Sequence, residues 1–466
     1  LDEMDDGDIY IMNDPYMGGT HLPDIALVMP VFSGGKLIAF SAAMTHHQDI
    51  GGMSPGSVPT NATEIFQEGI RIPPLKYSSK GIINDTLLKL LKLNVRLPDS
   101  FQGDLNAQIA ACEIGRRRLC DLESRYGVEA LKNIFSDLLN RSELMTRQAI
   151  KALPDGSHSY VDYLDNDGID LDMPIKIEVS VLVQGDSVHI DFTGTSQQVR
   201  GPFNLMPSGA YAAAYFAVHA MTDPSIPTNG GCFRPIKLIL PTKSIVNPEE
   251  PAPVNARTST MKRVAGCITS ALGQFLPDRA PADAAGEMLL LAFGGDRVDG
   301  SRYVVGELIA SGSGASEGMD GVDVIETDGT NCMNLPVEAL EMDVPIRVHK
   351  MELSTGSGGS GKFRGGLGLI REYEILHGTV VFTHRGERHI YPARGLMGGE
   401  PGGKAYSKIK RRDGKEIVIK SKTVETLEIG DQILVQTAGG GGYGCPTERP
   451  EHLQRNDIAD RKTRAR

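Results

Sequence analysis

Two apolar runs near the N-terminus give the first clear hydrophobic pattern of the chain. The runs DIALVMPVF and KLIAFSAAMT each have the character of a β-strand, and the SGG between them predicts a tight turn at Gly34-Gly35. A hairpin with this turn pairs residues whose numbers sum to about 69, which places Asp24 beside Thr45. The start of the first strand and the end of the second therefore meet at one end of the hairpin.

Helical spacing replaces this pattern in the rest of the first region. The segment NDTLLKLLKLNVRL predicts one helix, and FQGDLNAQIAACEIGRRRLCDLESRYG places Leu105, Ile109 and Cys112 on one face of another. Gly127 is a plausible stop for that second helix. We expect helical structure to continue to about Leu153.

A second hairpin opens the middle of the chain. In PIKIEVSVLVQGDSVHIDFTG the apolar residues alternate on both sides of Gly185-Asp186, which predicts two strands and a turn. The apolar segments SGAYAAAYFAVHAMT and TMKRVAGCITSALGQFL predict helices after it. From Ser301 onward, short β-rich runs such as PIRVHKMEL, GLGLIREYEI, TVVFTHR, KEIVIK and DQILVQT alternate with glycine clusters.

These patterns predict an α+β protein with several domains and mixed sheets, a helical segment after the first domain and a β-rich C-terminal region. A chain of 466 residues is longer than one hydrophobic core usually supports. We expect three regions: residues 1–153 with the first hairpin, a metal site and the following helices, residues 154–300 as an α+β middle domain, and residues 301–466 as a glycine-rich β region.

Composition excludes several classes of function. The net charge is -11 and no long block of one sign occurs, so the sequence gives no sign of nucleic-acid binding. No window approaches the roughly 20 apolar residues of a membrane span, and the first residues are acidic where a signal peptide is basic. The 6 cysteines are scattered without a C-x-x-C pair, which is typical of reduced thiols. We therefore expect a cytoplasmic protein that binds no membrane.

Two glycine clusters in the C-terminal region invite comparison with phosphate-binding loops. The segment GSGGSGKFRGGLG does not complete the order G-x-x-x-x-G-K-[ST] and precedes a strand instead of a helix, so we expect no nucleotide site there. A tight multi-turn connection is the simpler interpretation, with Lys362 and Arg364 facing solvent or a neighbouring subunit. The segment GGGGYG similarly indicates a flexible or sharply folded turn.

The candidate chemistry lies at the end of the first hairpin. The predicted register brings His21 and Asp24 close to His46, His47 and Asp49. Imidazole nitrogens and carboxylate oxygens together suit Zn²⁺, Mn²⁺ or Fe²⁺. The alternative is that H-x-x-D and H-H-x-D are polar loop residues that cap strands. Pleating does not choose between the two adjacent histidines, since neighbouring strand residues face opposite ways and strand ends often bulge.

Several motifs along nearly the whole chain resemble the hydantoinase B/oxoprolinase family. They are GDIYIMNDPYMGGTHLPD, THHQDIGG, EIFQEGIRIPP, GDLNAQIAACEIGRRRL, DFTGTSQQVRGPFN, IPTNGGCFRPI, NLPVEALE, GGSGKFRGGLG and GGGGYG, in the order expected of that family. Such proteins are subunits of ATP-dependent cyclic-amide hydrolases and of acetone- and acetophenone-type carboxylases. A set of colinear motifs is far more specific than any one glycine cluster.

The resemblance implies a division of labour between subunits. A hydantoinase A-type partner would bind ATP and phosphorylate the substrate, and this chain would carry the divalent metal in a hetero-oligomer. The matching positions imply His21, Asp24 and His46 as metal ligands, and His47 or Asp49 would act as the base that deprotonates water. A three-ligand site requires a bulge or kink near Pro23, with His47 facing away from the metal.

The resemblance leaves the reaction open between two chemistries. A cyclic-amide hydrolase acting on a hydantoin, 5-oxoproline or a lactam is favoured, and a subunit of an ATP-dependent ketone carboxylase is the alternative. A non-catalytic scaffold that kept the fold is a third hypothesis. Family members have a further segment before the strand that starts here near Asp8, and the resemblance implies that it supplies another carboxylate ligand.

Overall fold

The computed structural model describes residues 4–463. Within that range the chain forms seven helices and four sheets. This architecture confirms the predicted α+β class. No helix in the described part of the chain is both long enough and apolar enough to cross a bilayer.

The first sheet is antiparallel and holds five strands in the order β3-β2-β1-β4-β5. The strands are β1 (Ile9–Met12), β2 (Asp24–Ser33), β3 (Lys36–His46), β4 (Leu75–Ser79) and β5 (Ile82–Ile83). Helices α1 (Asp85–Leu93), α2 (Pro98–Tyr126) and α3 (Val128–Lys151) follow. Helix α2 packs on β2 and β3 through Phe101, Leu105 and Cys112, and it ends at Gly127 as predicted.

The register of the first hairpin differs from the predicted one by one residue. Near the turn Phe32 pairs with Leu37, as expected, but a bulge then leaves Ile38 without a partner. Beyond the bulge Asp24 pairs with His46 instead of Thr45. The predicted register was therefore wrong at the far end, because one extra residue in β3 shifts every later pair. The chain also turns just before β2, where the N–H of Asp24 donates to the carbonyl of His21 at 3.1 Å, close to the expected kink at Pro23.

The second sheet holds β6 (Gly156–Leu164), β7 (Ile175–Gln184), β8 (Ser187–Asp191) and β9 (Ile236–Ile239). Its hairpin turns at Gly185-Asp186, as predicted, and β9 joins β8 in parallel after a helical crossover. Helices α4 (Pro207–Met221) and α5 (Arg257–Gly273) cover this sheet with alanine, valine and isoleucine side chains. The start of α5 faces the first sheet, where Arg257 contacts Asp24.

The C-terminal half is a sandwich of two sheets. Its strands are β10 (Leu289–Asp296), β11 (Arg302–Ile309), β12 (Ile346–Leu353), β13 (Leu369–Ile375), β14 (Val380–Arg385), β15 (Tyr406–Lys410), β16 (Glu416–Val418), β17 (Lys422–Leu427) and β18 (Gln432–Gln436). One sheet has the order β11-β10-β14-β17 and the other β12-β13-β18-β15-β16. Apolar side chains of both sheets form one core. The expected boundary at residue 300 falls in the turn between β10 and β11.

Two short helices, α6 (Val337–Asp343) and α7 (Glu451–Ala459), accompany the sandwich. Helix α7 supplies Asp457, which is buried and accepts hydrogen bonds from Arg364 and Arg449. Arg364 is only 4% exposed and also contacts Asp323. The expectation that Arg364 faces solvent was therefore wrong, whereas Lys362 does reach the surface and pairs with Glu317.

The glycine clusters form an interlocked backbone layer, which we call the glycine layer (residues 356–366, 399–403 and 439–444). The N–H of Gly359 donates to the carbonyl of Gly440, whose own N–H donates to Gly366. A Cβ atom on Gly440 would lie 1.9 Å from the carbonyl oxygen of Ser313. The expected flexible or sharply folded turns are thus packed segments in which backbone touches backbone. As predicted, a strand follows the first cluster, since β13 begins at Leu369.

Candidate metal centre

Three side chains converge where β2 begins and β3 ends. His21 lies in the loop before β2, Asp24 is the first residue of β2, and His46 is the last residue of β3. Because Asp24 and His46 are cross-strand partners, the hairpin itself brings these two side chains together. The loop between Gly18 and Asp24 then folds His21 back over the pair.

The donor atoms of these residues are close enough to share one ion. One ligand atom each from His21, Asp24 and His46 lies within 4.8 Å of the other two. The imidazole rings of His21 and His46 stand 5.0 Å apart between centroids. Normal bond lengths to zinc of roughly 2.0 to 2.2 Å are compatible with such spacing. Both histidines and the carboxylate therefore meet the distance condition for a three-ligand site.

The buried atoms of the cluster also fit a cation. Nδ1 of His21 lies 2.9 Å from Oδ2 of Asp24, yet among the described residues it is a buried atom with no hydrogen-bond partner of suitable geometry. Burial, together with the positive charge of Arg257, lowers the pKa of His21 to about 3. A neutral imidazole with a free lone pair is the form that binds metal ions.

Asp24 is held ionised by its neighbours. Burial alone would raise the pKa of Asp24, but the adjacent His21 and the charge of Arg257 lower it well below the ordinary value. Nη2 of Arg257 donates to Oδ2 at 2.6 Å, and the hydroxyl of Thr20 donates to the same oxygen. The carboxylate is therefore fixed in orientation as well as in charge.

His47 points the other way, as adjacent residues of a strand do. Its ring is fully buried and packs on Phe101 of α2 at 4.9 Å between centroids. Nε2 lies 3.0 Å from Oε1 of Gln108, while Nδ1 is 3.9 Å from the nearest oxygen of Asp104. His46, by contrast, is exposed on the open side of the cluster. The structure therefore assigns His46 to the cluster and His47 to the interface with α2.

Asp49 lies in the loop after β3 and is bonded on both oxygens. Oδ1 accepts from the backbone N–H groups of Gly51 and Arg96, each at 3.0 Å. Oδ2 accepts from the N–H of Gly56 at 3.0 Å and from the guanidinium of Arg96 at 3.1 Å. These bonds give Asp49 a clear role in shaping the loop. A catalytic role for His47 or Asp49 stays a prediction.

A second group of polar residues surrounds Asn255, just before α5. The N–H of Asn255 donates to Oε1 of Glu68 at 2.8 Å, and its side-chain amide donates to the carbonyl of Ser57 at 2.7 Å. Arg385, at the end of β14, donates from Nη1 to Oδ1 of Asn255 at 3.2 Å. Burial raises the pKa of Glu68 to about 8, although both nearby arginines oppose the shift.

Arg257 and Arg385 have no local sequence signal that marks them as site residues. Both come from regions far along the chain, and only the contacts of Arg257 with Asp24 and of Arg385 with Asn255 reveal them. Glu68, Asp14 and Arg71 belong to the motifs near the cluster. Asp14 and Arg71 form an ion pair at 2.8 Å, in agreement with a structural role.

Comparison with known proteins places the whole chain in one group. Residues 1–446 match the family model described as hydantoinase B/oxoprolinase. The chain is 34% identical over 473 residues to the B-type subunit of the putative D-/L-hydantoinase of Pseudomonas sp. (strain NS671), covering 98% of this chain and 79% of that protein. It is 33% identical over 465 residues to the beta-type subunit of the caprolactamase of Pseudomonas jessenii, covering 96% and 79%.

Solved structures agree with these sequence matches. The crystal structure of the ATP-dependent caprolactamase from Pseudomonas jessenii superimposes with a TM-score of 0.91 at 29% identity, over 99% of this chain and 82% of that one. Nucleotide-free acetone carboxylase also gives a TM-score of 0.91, at 21% identity, over 98% of this chain and 67% of that one. The second similarity shows a shared fold.

Proposed function

Because the chain belongs to the hydantoinase B/oxoprolinase family, we propose that it is the metal-bearing catalytic subunit of an ATP-dependent cyclic-amide hydrolase. The substrate would be a hydantoin, 5-oxoproline or a lactam that a hydantoinase A-type partner has phosphorylated. The observation that carries this proposal is the convergence of His21, Asp24 and His46 within 4.8 Å. Two of the matched relatives are named as subunits, which supports a hetero-oligomer with such a partner.

The chemistry of the cluster suits hydrolysis of an activated amide. A divalent zinc, manganese or iron ion bound there would lower the pKa of a coordinated water toward about 7 and so supply hydroxide near neutral pH. His21 is neutral and free to coordinate, while Arg257 and Thr20 keep Asp24 ionised and fixed. His46 lies on the open side of the cluster, where a substrate can approach.

Phosphorylation by the partner would remove the need for a nucleotide site in this chain. An amide carbonyl resists water because of resonance, and a phosphorylated oxygen turns it into a better electrophile with a good leaving group. We expect that the isolated chain neither binds nor hydrolyses ATP. Calorimetric titration with ATP checks this expectation, and micromolar binding by the isolated chain would contradict it.

Metal content tests the site directly. We expect one divalent first-row metal ion per chain in the wild-type protein, and its loss in His21→Ala and Asp24→Ala. His452→Ala is the matched control, because His452 is an exposed histidine on α7. Elemental analysis of the purified proteins provides the measurement, and circular dichroism checks that each variant is folded. Wild-type protein that is active with its partner but lacks stoichiometric metal would overturn the proposal.

Substrate class is tested with the partner present. Addition of hydantoins, 5-oxoproline and lactams to the two-subunit complex should stimulate ATP hydrolysis for at least one of them, with release of the ring-opened product. ATP turnover that requires bicarbonate and a ketone would instead identify the carboxylase alternative.

A further inference from the structure

Arg385 is a buried cation without a carboxylate partner. The described part of the chain contains five buried arginines, and Arg385 is 6% exposed. The other four each lie within 4.0 Å of a carboxylate oxygen, namely Arg263, Arg364, Arg371 and Arg388. Within residues 4–463, Arg385 has no such ion pair.

The hydrogen bonds of Arg385 leave one edge of its guanidinium free. Nη1 donates to the carbonyl oxygen of Asn255 at 3.4 Å and to its side-chain oxygen at 3.2 Å. In the described structure Nε and Nη2 have no acceptor, and neither atom is sealed from solvent. Arg71 uses the same edge of its own guanidinium to bind Asp14, since its Nε and Nη2 both donate to Oδ2 of that carboxylate. It therefore has the geometry for a bidentate contact with an oxyanion.

The charge around Arg385 is positive. Burial, reinforced by the charge of Arg257, lowers the pKa of Arg385 to about 9, so the side chain still carries its charge at neutral pH. Arg257 itself is the first residue of α5, whose N-terminus adds the positive end of a helix dipole. Glu68 is the acid whose charge affects Arg385. Burial raises the pKa of Glu68 to about 8, so its side chain is largely protonated at pH 7.

This positive region adjoins the metal-site cluster. Arg257 bonds to Asp24 at 2.6 Å. Asn255, which accepts hydrogen bonds from Arg385, lies two residues before Arg257 in the chain. Arg385 thus reaches the neighbourhood of the cluster through Asn255, although it comes from the C-terminal sandwich. A buried charge without a counterion is costly, so an anionic ligand would remove a penalty that the free protein carries.

We propose that Arg385, together with Arg257 and the N-terminus of α5, binds the phosphoryl group of the substrate beside His21, Asp24 and His46. This inference rests on the proposed function, which supplies a phosphorylated substrate. A phosphoryl group carries nearly two negative charges and three acceptor oxygens, which match a bidentate guanidinium better than a neutral amide would. Arg385 is then a binding residue that positions the leaving group and contributes no metal ligand.

Inorganic phosphate is a suitable probe, because it retains the charge and tetrahedral shape of the phosphoryl group. Calorimetric titration of the full chain with phosphate should show binding that is at least tenfold weaker in Arg385→Gln. Arg302→Gln, which removes one charge from an exposed position of β11, should bind phosphate like the wild type. Arg385→Lys should recover part of the affinity, and it replaces the glutamine variant if the latter does not fold.

Parallel measurements separate this inference from the proposed function. Metal content should be the same in Arg385→Gln and in the wild type, since Arg385 donates no ligand to the ion. Equal phosphate affinity of both proteins would overturn the role of Arg385 while leaving the metal site intact. Bicarbonate should bind at least tenfold more weakly than phosphate, and equal or tighter binding of bicarbonate would overturn the assignment of a phosphoryl ligand. A wild-type complex that binds phosphate normally but shows no metal-dependent activity would count against the proposed function alone.

Discussion

Glu68 provides a test of the electrostatics around the candidate site through the replacement Glu68→Gln. The side chain is fully buried, Oε1 accepts the N–H of Asn255 at 2.8 Å, and Oε2 has no partner among the described residues. Burial raises its pKa from 4.5 to about 8. Glutamine has the same shape as the protonated acid and keeps the oxygen that Asn255 uses, so the replacement removes titration with little change in packing.

The sign of the effect follows from proton binding. Between pH 4.5 and about 8 the folded state keeps a proton on Glu68 that the unfolded state has released. Folding stability from this group is therefore complete below pH 4.5, falls as pH rises, and stays constant above about 8. This pKa shift from 4.5 to about 8 lowers the free energy of unfolding of the wild type by about 5 kcal/mol at pH 9, and by about 3 kcal/mol at pH 7, relative to low pH.

Urea unfolding at pH 5, 7 and 9 measures this difference, with a chelator present so that no cation near Glu68 alters its pKa. The free energy of unfolding of Glu68→Gln minus that of the wild type should rise between pH 5 and 9 by roughly 2 to 5 kcal/mol. Infrared spectra give a second measurement, because the carbonyl band of protonated carboxylic acids should weaken in the variant at pH 7, while Glu287, whose pKa burial also raises to about 8, keeps its own band. A difference in unfolding free energy that is independent of pH would refute the reasoning.

Further expectations concern packing, a buried ion pair and a loop. Gly440→Ala should lower the melting temperature sharply or prevent folding, since its Cβ would lie 1.9 Å from a carbonyl oxygen, whereas Gly103→Ala in open space on α2 should stabilise by about 1 kcal/mol in thermal melts. Lys422→Met should cost about 3 to 5 kcal/mol in urea unfolding by leaving buried Glu387 unpaired, and the double variant with Glu387→Gln should recover part of it. Asp49→Asn should destabilise by about 1 to 3 kcal/mol, with unchanged metal content in elemental analysis.

Local patterns were sufficient to predict many elements of the fold. The stop of α2 at Gly127 and the turn at Gly185-Asp186 depend on neighbouring residues, and both were predicted. The hairpin register was not, because the bulge at Ile38 has no signature in its own short stretch of sequence. The resulting shift replaced Thr45 by His46 as the partner of Asp24.

The site residues that the sequence did not predict are positioned by long-range packing. His21, Asp24 and His46 lie within one short stretch, so a hairpin argument could bring them together. Arg257 and Arg385 reach this region through α5 and β14, and no local pattern specifies the contacts of Arg257 with Asp24 or of Arg385 with Asn255. The buried position of Arg364 was missed for the same reason, since its partner Asp457 belongs to the last helix.

The glycine layer has a consequence for how stability depends on temperature. It is built from hydrogen-bonded peptide groups packed directly on one another, with few side chains between them. Exposure of peptide groups to water lowers the heat capacity of unfolding, whereas exposure of apolar side chains raises it. The layer should therefore contribute little to the heat-capacity change of the C-terminal half. We expect the stability of the glycine layer to depend less on temperature than that of the apolar core around α4 and α5, so that the layer loses less stability on cooling.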